Sequence, residues 1–119
     1  MKRDIQERTF SFALRVIRLT QHLPNSKAGK VIGNQVLRAG TSIGANVEEA
    51  EAAYTKDAFV YKMNIALCEA RETHYWLRLI KASLLVKPIL LDAIIQEAEE
   101  LKRILGAIVS KARRSTIRG

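Results

Sequence analysis

The sequence of 119 residues contains one cysteine, two prolines and six glycines. A single cysteine excludes an intrachain disulfide and suits a reducing compartment, so we expect a cytoplasmic protein. So few prolines and glycines leave little material for turns, which favours a few long helices over many short strands. We expect neither a signal peptide nor a membrane span, because Arg15 and Arg18 interrupt the first apolar stretch, FSFALRVIRL.

Length and composition predict one globular domain over residues 1–119, with 48% hydrophobic and 27% charged residues. The formal net charge is +8. A basic balance favours a polyanionic partner such as RNA or DNA, although many soluble proteins are basic without binding one.

Four long segments carry apolar residues at helical spacing. Their predicted bounds are residues 5–22, 26–53, 56–85 and 88–113. Pro24 ends the first segment and Pro88 begins the last. Thr55 is a suitable N-cap for the third, with Asp57 in its first turn. Since short connections make consecutive helices antiparallel neighbours, the sequence predicts an all-α fold, an antiparallel up-down four-helix bundle.

The first and third segments each carry two apolar stripes, where one bundle seam needs only one. The first segment has Phe10, Ala13, Leu14 and Ile17 beside Phe12, Val16, Leu19 and Leu23. The third has Phe59, Met63, Ala66, Ala70, Leu77 and Leu84 beside Tyr61, Ile65, Cys68, Tyr75, Trp76 and Leu79. The second stripes predict burial against something outside the bundle.

The stretch RAGTSIGANVEEA, residues 38–50, looks like a loop when it is read alone. However, the apolar stripe of the second segment passes through Gly40 and Gly44 without losing phase, so we predict a helix. Gly33, Gly40 and Gly44 share one strip of that helix. Each interior glycine costs roughly 1 kcal/mol relative to alanine, so we predict that a neighbouring helix packs closely there. Asn46 is expected to bond a polar group at the edge of this stripe.

Enzymatic chemistry is not apparent in the sequence, and no cofactor or small-molecule substrate is expected. Gly29-Lys30 lacks the serine or threonine and the upstream glycine of a phosphate-binding loop. Cys68 and His74 lie six residues apart, about 120° around one helix, so they do not form a nucleophile–base pair. We expect Cys68 to be a small apolar packing residue.

Carboxylates are dense in the second and third segments, at Glu48, Glu49, Glu51, Glu69 and Glu72. A two-metal bundle site needs Glu-x-x-His on two helices, and neither histidine follows a glutamate by three residues. We therefore expect ion pairs between helices or subunits, with an arginine or lysine partner for any carboxylate that is partly buried.

The C-terminal region carries the clearest charge signal, because residues 101–119 contain six basic side chains and no acidic ones. These are Lys102, Arg103, Lys111, Arg113, Arg114 and Arg118. They fit a flexible basic arm that neutralises phosphates, or the end of a C-terminal helix, whose dipole favours cations. A basic amphipathic helix on a membrane is a third, less favoured interpretation. Arg71, Arg78 and Lys81 form a second basic ridge on the third segment.

The motifs LRAGTSIGANVEEA (37–50) and DAFVYKMNIALCEARETHYWLRLI (57–80) resemble the bacterial four-helix-bundle proteins named after the 23S rRNA intervening sequence. ERTFSFALRVIRL (7–19) fits as well, so the resemblance covers essentially the whole chain. It implies an antiparallel bundle that assembles into a ring-like homopentamer, with RNA binding as the expected role and no catalytic residues.

A related branch of this family comprises the accessory variability proteins of diversity-generating retroelements. Its basic pentameric bundles bind a reverse transcriptase and nucleic acid. We therefore expect a non-enzymatic homo-oligomer that binds RNA or DNA through a basic surface. The alternative is a protein-interaction scaffold, such as an accessory protein of a reverse transcriptase.

Overall fold

Four α-helices make up most of the chain in the computed structural model, which describes the backbone of residues 2–118 and the side chains of residues 4–115. They are α1 (Lys2–Thr20), α2 (Lys27–Glu51), α3 (Lys56–Ala82) and α4 (Asp92–Arg118). A 3-10 turn at Pro88–Leu90 precedes α4. Residues 2–118 contain no β-strand, which confirms the all-α prediction.

Neighbouring helices run antiparallel, as residue contacts along them show. Leu23, near the end of α1, lies beside Gly33, whereas Thr9 lies beside Gly44, further along α2. Likewise, Lys102 of α4 lies next to His74 of α3, and Lys56 at the start of α3 reaches Ser115. The helices therefore form an antiparallel four-helix bundle.

Side-chain caps explain where α2 and α3 begin. Ser26 Oγ accepts a hydrogen bond from Gly29 N at 3.1 Å, and Thr55 Oγ1 accepts one from Ala58 N at 3.0 Å. Each bond satisfies one of the first backbone donors of its helix, which have no partner within the helix itself. Thr55 is thus the N-cap that the sequence predicts.

The end of α3 differs from the prediction, which placed helix through Leu85 and Leu84 on a core stripe. Leu84 adopts a left-handed conformation with φ of 59°, and its side chain is 71% exposed. Leu85 N donates to Ile80 O and Leu84 N donates to Lys81 O, both at 3.2 Å. These two bonds form the Schellman motif that terminates a helix, and they turn Leu84 away from the core.

The other end of the connection also differs, because the fourth helix does not begin at Pro88. The 3-10 turn comes first and leaves Leu90 47% exposed. At the far end, α4 continues to Arg118, so the basic segment after Val109 is helical rather than a flexible arm.

One apolar core runs between all four helices. Its largest fully buried side chains include Phe12 of α1, Ile43 of α2, Met63 and Leu77 of α3, and Leu101 and Leu105 of α4. Of the two stripes on α1, the one with Phe12, Val16 and Leu19 faces this core. The other stripe faces outward: Phe10 is 60%, Leu14 40% and Ile17 41% exposed.

The second stripe of α3 is only partly covered: Trp76 packs against the core, whereas other members are exposed. Tyr61 and Tyr75 are 65% and 49% exposed. Cys68 is exposed, so its expected role as a packing residue is wrong. It follows Leu67, which is buried, and one residue is enough to rotate a helical side chain by about 100°.

The glycine strip of α2 faces α1, and each glycine lies against a different residue. A Cβ at Gly40 would come within 2.8 Å of Val16 Cγ2, and one at Gly33 would come within 3.1 Å of Leu23 Cδ1. At Gly44 it would lie 3.3 Å from Thr9 Oγ1 and 3.4 Å from the Thr9 backbone carbon. Asn46 Nδ2 donates to Ser42 O at 2.9 Å, within its own helix.

Ion pairs join the helices at their edges. Arg8 of α1 donates to both carboxylate oxygens of Glu97 on α4, at 3.1 and 2.8 Å, and to Glu100 at 2.9 Å. Arg38 of α2 pairs with Glu69 and Glu72 of α3. This confirms that these partly buried carboxylates have an arginine partner.

Candidate nucleic-acid interface

Helices α3 and α4, which meet along a seam, carry all nine basic residues that the sequence nominated, and the side chain of Arg118 lies outside the described residues. Of the other eight, three have a carboxylate partner among the described residues: Lys81, Lys102 and Arg103. These three lie toward the end of the bundle where α3 ends and α4 begins, and Arg71, Lys111, Arg113 and Arg114 lie toward the opposite end.

In the half of the seam near the start of α4, carboxylates accompany the cations. Lys81 Nζ lies 2.9 Å from Asp92 Oδ1. Glu99 receives two more cations, with Lys102 Nζ at 3.1 Å and Arg103 Nε at 3.4 Å. Lys81 is therefore paired one to one with Asp92, whereas Lys102 and Arg103 share the single negative charge of Glu99. An acidic partner weakens each of these cations as a phosphate ligand.

His74 belongs to this paired half. Its Nδ1 lies 3.4 Å from Lys102 Nζ and its Nε2 lies 3.4 Å from Glu99 Oε1. Burial lowers the pKa of His74, the positive charges of Lys102 and Arg78 lower it further, and Glu99 opposes them. A neutral imidazole that accepts from Lys102 and presents Nε2–H to Glu99 fits this arrangement. Arg78 itself is exposed beside the cluster.

In the half of the seam near the end of α4, the cations have no acidic partner. Arg71 of α3 and Lys111, Arg113 and Arg114 of α4 are all exposed. No carboxylate among the residues with described side chains forms an ion pair with any of the four. Arg114 donates to Ser110 Oγ at 2.9 Å. Their charge is available to an anionic partner.

Three of these arginines converge on a groove between α3 and α4 that encloses about 540 Å³. Its lining comprises Asn64, Leu67 and Arg71 from α3, and Gly106, Val109, Ser110, Arg113 and Arg114 from α4. Leu67 and Val109 are nearly buried, so they form the floor. Lys111 is not part of this lining and faces solvent beyond it.

Sequence reasoning missed Asn64, Gly106 and Ser110 as parts of this surface. Their spacing carried a signal, because 64, 67 and 71 on α3 and 106, 110 and 113 on α4 each follow one face of a helix. What the sequence could not supply was the register that sets these two faces beside each other.

A second groove with basic residues lies between α1 and the start of α4. Arg15, Arg18 and His22 line it together with Leu19, Leu90 and Ile94. Arg15, Arg18 and His22 are not among the basic residues that the sequence nominated. Arg15 and Arg18 add positive charge at the end of the bundle opposite to Arg113.

Among the described residues, no three histidine, cysteine, aspartate or glutamate side chains could together hold a metal ion. Of the helices described, none has the length and hydropathy that a membrane crossing requires.

The fold and the seam define an α-helical bundle with a basic end. The profile of the 23S rRNA-intervening sequence proteins matches residues 1–107. The chain belongs to this family.

A solved relative supports the same architecture. It is a protein of unknown function from the S23 ribosomal protein family of Bacteroides thetaiotaomicron VPI-5482. The two chains are 37% identical and superpose with a TM-score of 0.84, over 92% of this chain and 99% of that one. No protein of curated function matches this chain significantly.

Proposed function

We propose that this protein is a non-enzymatic, homo-oligomeric bundle that binds RNA or DNA through its basic end. The observation that carries the proposal is the group formed by Arg71, Lys111, Arg113 and Arg114, which come from two helices and have no acidic partner among the described side chains. Unpaired cations attract phosphates and release counterions on binding. The family name, which refers to an intervening sequence of 23S rRNA, is compatible with an RNA partner.

Self-association rests on the outward stripe of α1. Phe10, Leu14 and Ile17 lie on one face of that helix and are 40–60% exposed. A contiguous apolar face of this kind commonly marks a protein–protein contact. Covering it with a second copy would place several basic ends in one assembly, which raises avidity without requiring a strong single site. A homopentamer is the assembly that the family resemblance suggests.

Nucleic-acid binding is tested with labelled RNA and DNA over a salt series. Replacing Lys111, Arg113 and Arg114 together by glutamine should weaken binding and reduce the slope of log K against log salt by roughly 2 for single strands. The matched control replaces Lys27, Lys30 and Lys87, three exposed lysines at the opposite end. It removes the same charge and should leave most of the affinity. Absent binding at low salt, or equal loss in both triple variants, contradicts the proposal.

Self-association is tested by light scattering of the purified protein. We expect an oligomer, and we expect Leu14→Glu to dissociate it, because a carboxylate would be buried without a partner. Ser11→Glu is the control, since Ser11 is an exposed polar residue of the same helix. A wild-type monomer contradicts this part of the proposal.

The second candidate function is a protein-interaction scaffold, for example for a reverse transcriptase. The exposed aromatic residues Tyr61 and Tyr75 on α3 favour it, because tyrosine is enriched in protein interfaces. If Tyr61→Ser and Tyr75→Ser leave both oligomer size and nucleic-acid binding unchanged, these tyrosines remain available to such a partner. A change in oligomer size would instead assign them to the subunit contact.

A further inference from the structure

Gly106 differs from the other described glycines because no described residue packs against it. Cβ atoms at Gly29, Gly33, Gly40 and Gly44 would each meet neighbouring atoms within 3.3 Å. A Cβ at Gly106 would meet no atom of the described residues within 4 Å. Glycine is unfavourable in a helix interior and is used where another chain or a ligand approaches the backbone. The open space at Gly106 faces the groove between α3 and α4.

We propose that this groove holds the sugar-phosphate backbone of a single nucleic-acid strand, which passes over Gly106 between Arg71 and Arg113. The inference rests on the proposed nucleic-acid function and specifies where and how the strand would bind. It differs from a diffuse basic surface because it requires a cleft of defined shape.

The side chains that line the groove suit phosphates. Arg71, Arg113 and Arg114 offer guanidinium groups, which bind phosphate oxygens through paired hydrogen bonds. Asn64 and Ser110 add an amide and a hydroxyl donor, and no residue of the lining is acidic. A protein segment would have to be strongly acidic to supply the anionic acceptors that these guanidinium groups bind.

The dimensions of the groove favour a strand over an isolated phosphate or a duplex. Asn64 and Arg71 are seven residues apart on α3, so the donors extend over roughly 10 Å along the groove. That length suits a chain of phosphates. Because the axes of packed helices lie about 8–10 Å apart, the groove above their contact is narrow, and one extended strand matches its width better than a duplex does.

The decisive variant is Gly106→Leu, which fills the groove without removing charge. Its matched control is Ala107→Leu, which adds the same side chain at an exposed neighbouring position. With a labelled 20-nucleotide single-stranded RNA at low salt, we expect Gly106→Leu to weaken binding at least 10-fold. Ala107→Leu should change the affinity less than twofold. Duplex RNA of the same sequence should bind more weakly to the wild type and respond little to Gly106→Leu.

Arg71→Gln provides a second measurement if Gly106→Leu fails to fold, because Arg71 is exposed. We expect it to lower the salt slope for the single strand by about 0.7, which corresponds to one phosphate contact. Arg78→Gln is its control, two helical turns along the same face of α3 and outside the groove lining. It should leave the slope unchanged.

The outcomes separate this inference from the function on which it rests. If the Lys111, Arg113 and Arg114 variant loses binding while Gly106→Leu and Arg71→Gln bind like the wild type, the groove is refuted and the function stands. If wild-type protein binds no nucleic acid, both fail. If Gly106→Leu alters oligomer size and not RNA affinity, the groove is a contact between copies and the inference is overturned.

Discussion

Gly40 of α2 lies so close to Val16 of α1 that a single methyl group added to the glycine would come within 2.8 Å of Val16 Cγ2 and 2.9 Å of Cγ1. Val16 is fully buried, and its β-branched side chain has little freedom to rotate away. The distance between α1 and α2 is therefore set by the absence of a side chain at Gly40.

Gly40→Ala should destabilise the bundle even though alanine is the better helix former. The gain in helix propensity is about 1 kcal/mol, whereas overpacking a rigid core site costs about 1–3 kcal/mol. We expect a net loss of about 1 kcal/mol in the free energy of unfolding, measured by urea denaturation. Gly44→Leu, which would push a larger group against Thr9, should disrupt folding or assembly. Unchanged melting and unchanged oligomer size in Gly44→Leu would contradict this packing role.

Gly106→Ala should have the opposite effect, since a Cβ there meets no atom of the described part of the chain within 4 Å. The same substitution then keeps the helix-propensity gain without the steric cost, and we expect up to about 1 kcal/mol of stabilisation. Thermal melting of Gly40→Ala and Gly106→Ala under identical conditions compares the two sites. Two shifts of the same sign would contradict the assignment of one glycine to the core and the other to the groove.

Arg8 should contribute to stability by holding α1 on α4. It makes a bidentate contact with Glu97, whose side chain is only 20% exposed. Because the pair is partly solvated, we expect Arg8→Gln to cost about 1 kcal/mol rather than the larger value of a fully buried pair. A double-mutant cycle with Glu97→Gln measures the coupling directly. Arg18→Gln, at an exposed arginine of the same helix, is the control. A coupling energy near zero would show that the contact contributes nothing.

His74 should make stability depend on pH below neutrality. Burial, Lys102 and Arg78 lower its pKa from the ordinary 6.5. A folded-state pKa below the unfolded one means that folding favours the neutral ring. The resulting stability is present above pH 6.5 and is lost as the pH falls from there toward the folded-state pKa.

We therefore expect the wild type to lose more stability than His74→Gln between pH 7.5 and 5.5, as measured by urea unfolding. Glu99 does not titrate between pH 7.5 and 5.5, because Lys102 holds its pKa below the ordinary 4.5. His22→Gln removes the other histidine and should keep the wild-type decline. Identical pH profiles for wild type and His74→Gln would refute the role of His74.

The sequence predicted the helices well because their signals are local. Apolar spacing, the Thr55 cap and Pro24 all act within one or two turns of the backbone. The errors fall where a local signal was ambiguous. Leucine at position 84 does not predict a left-handed conformation, because glycine is the usual residue at this position after the end of a helix. Cys68 could be assigned to a stripe by its spacing, but whether anything covers that stripe depends on other helices.

The candidate site was predicted in part. The basic residues of α3 and α4 were evident from charge alone. Which of them retain an unpaired charge was not, because pairing depends on which carboxylates face them across the seam. Asp92 pairs with Lys81, and Glu99 pairs with both Lys102 and Arg103, while no described carboxylate reaches Arg71 or Arg113.

By itself the sequence determined the helices, the two apolar stripes on the first and third of them and the net positive charge, because each follows from composition and from the 3.6-residue period. Only the tertiary structure decided the register of α3 against α4, and with it the groove over Gly106. Register depends on side chains more than 30 residues apart in the chain meeting at one place, as Arg71 and Arg113 do in the lining of the groove. The pattern of residues along one helix does not say which residues of another helix lie beside it. Packing also decided that Gly40 serves the core and Gly106 does not, although both are glycines within helices.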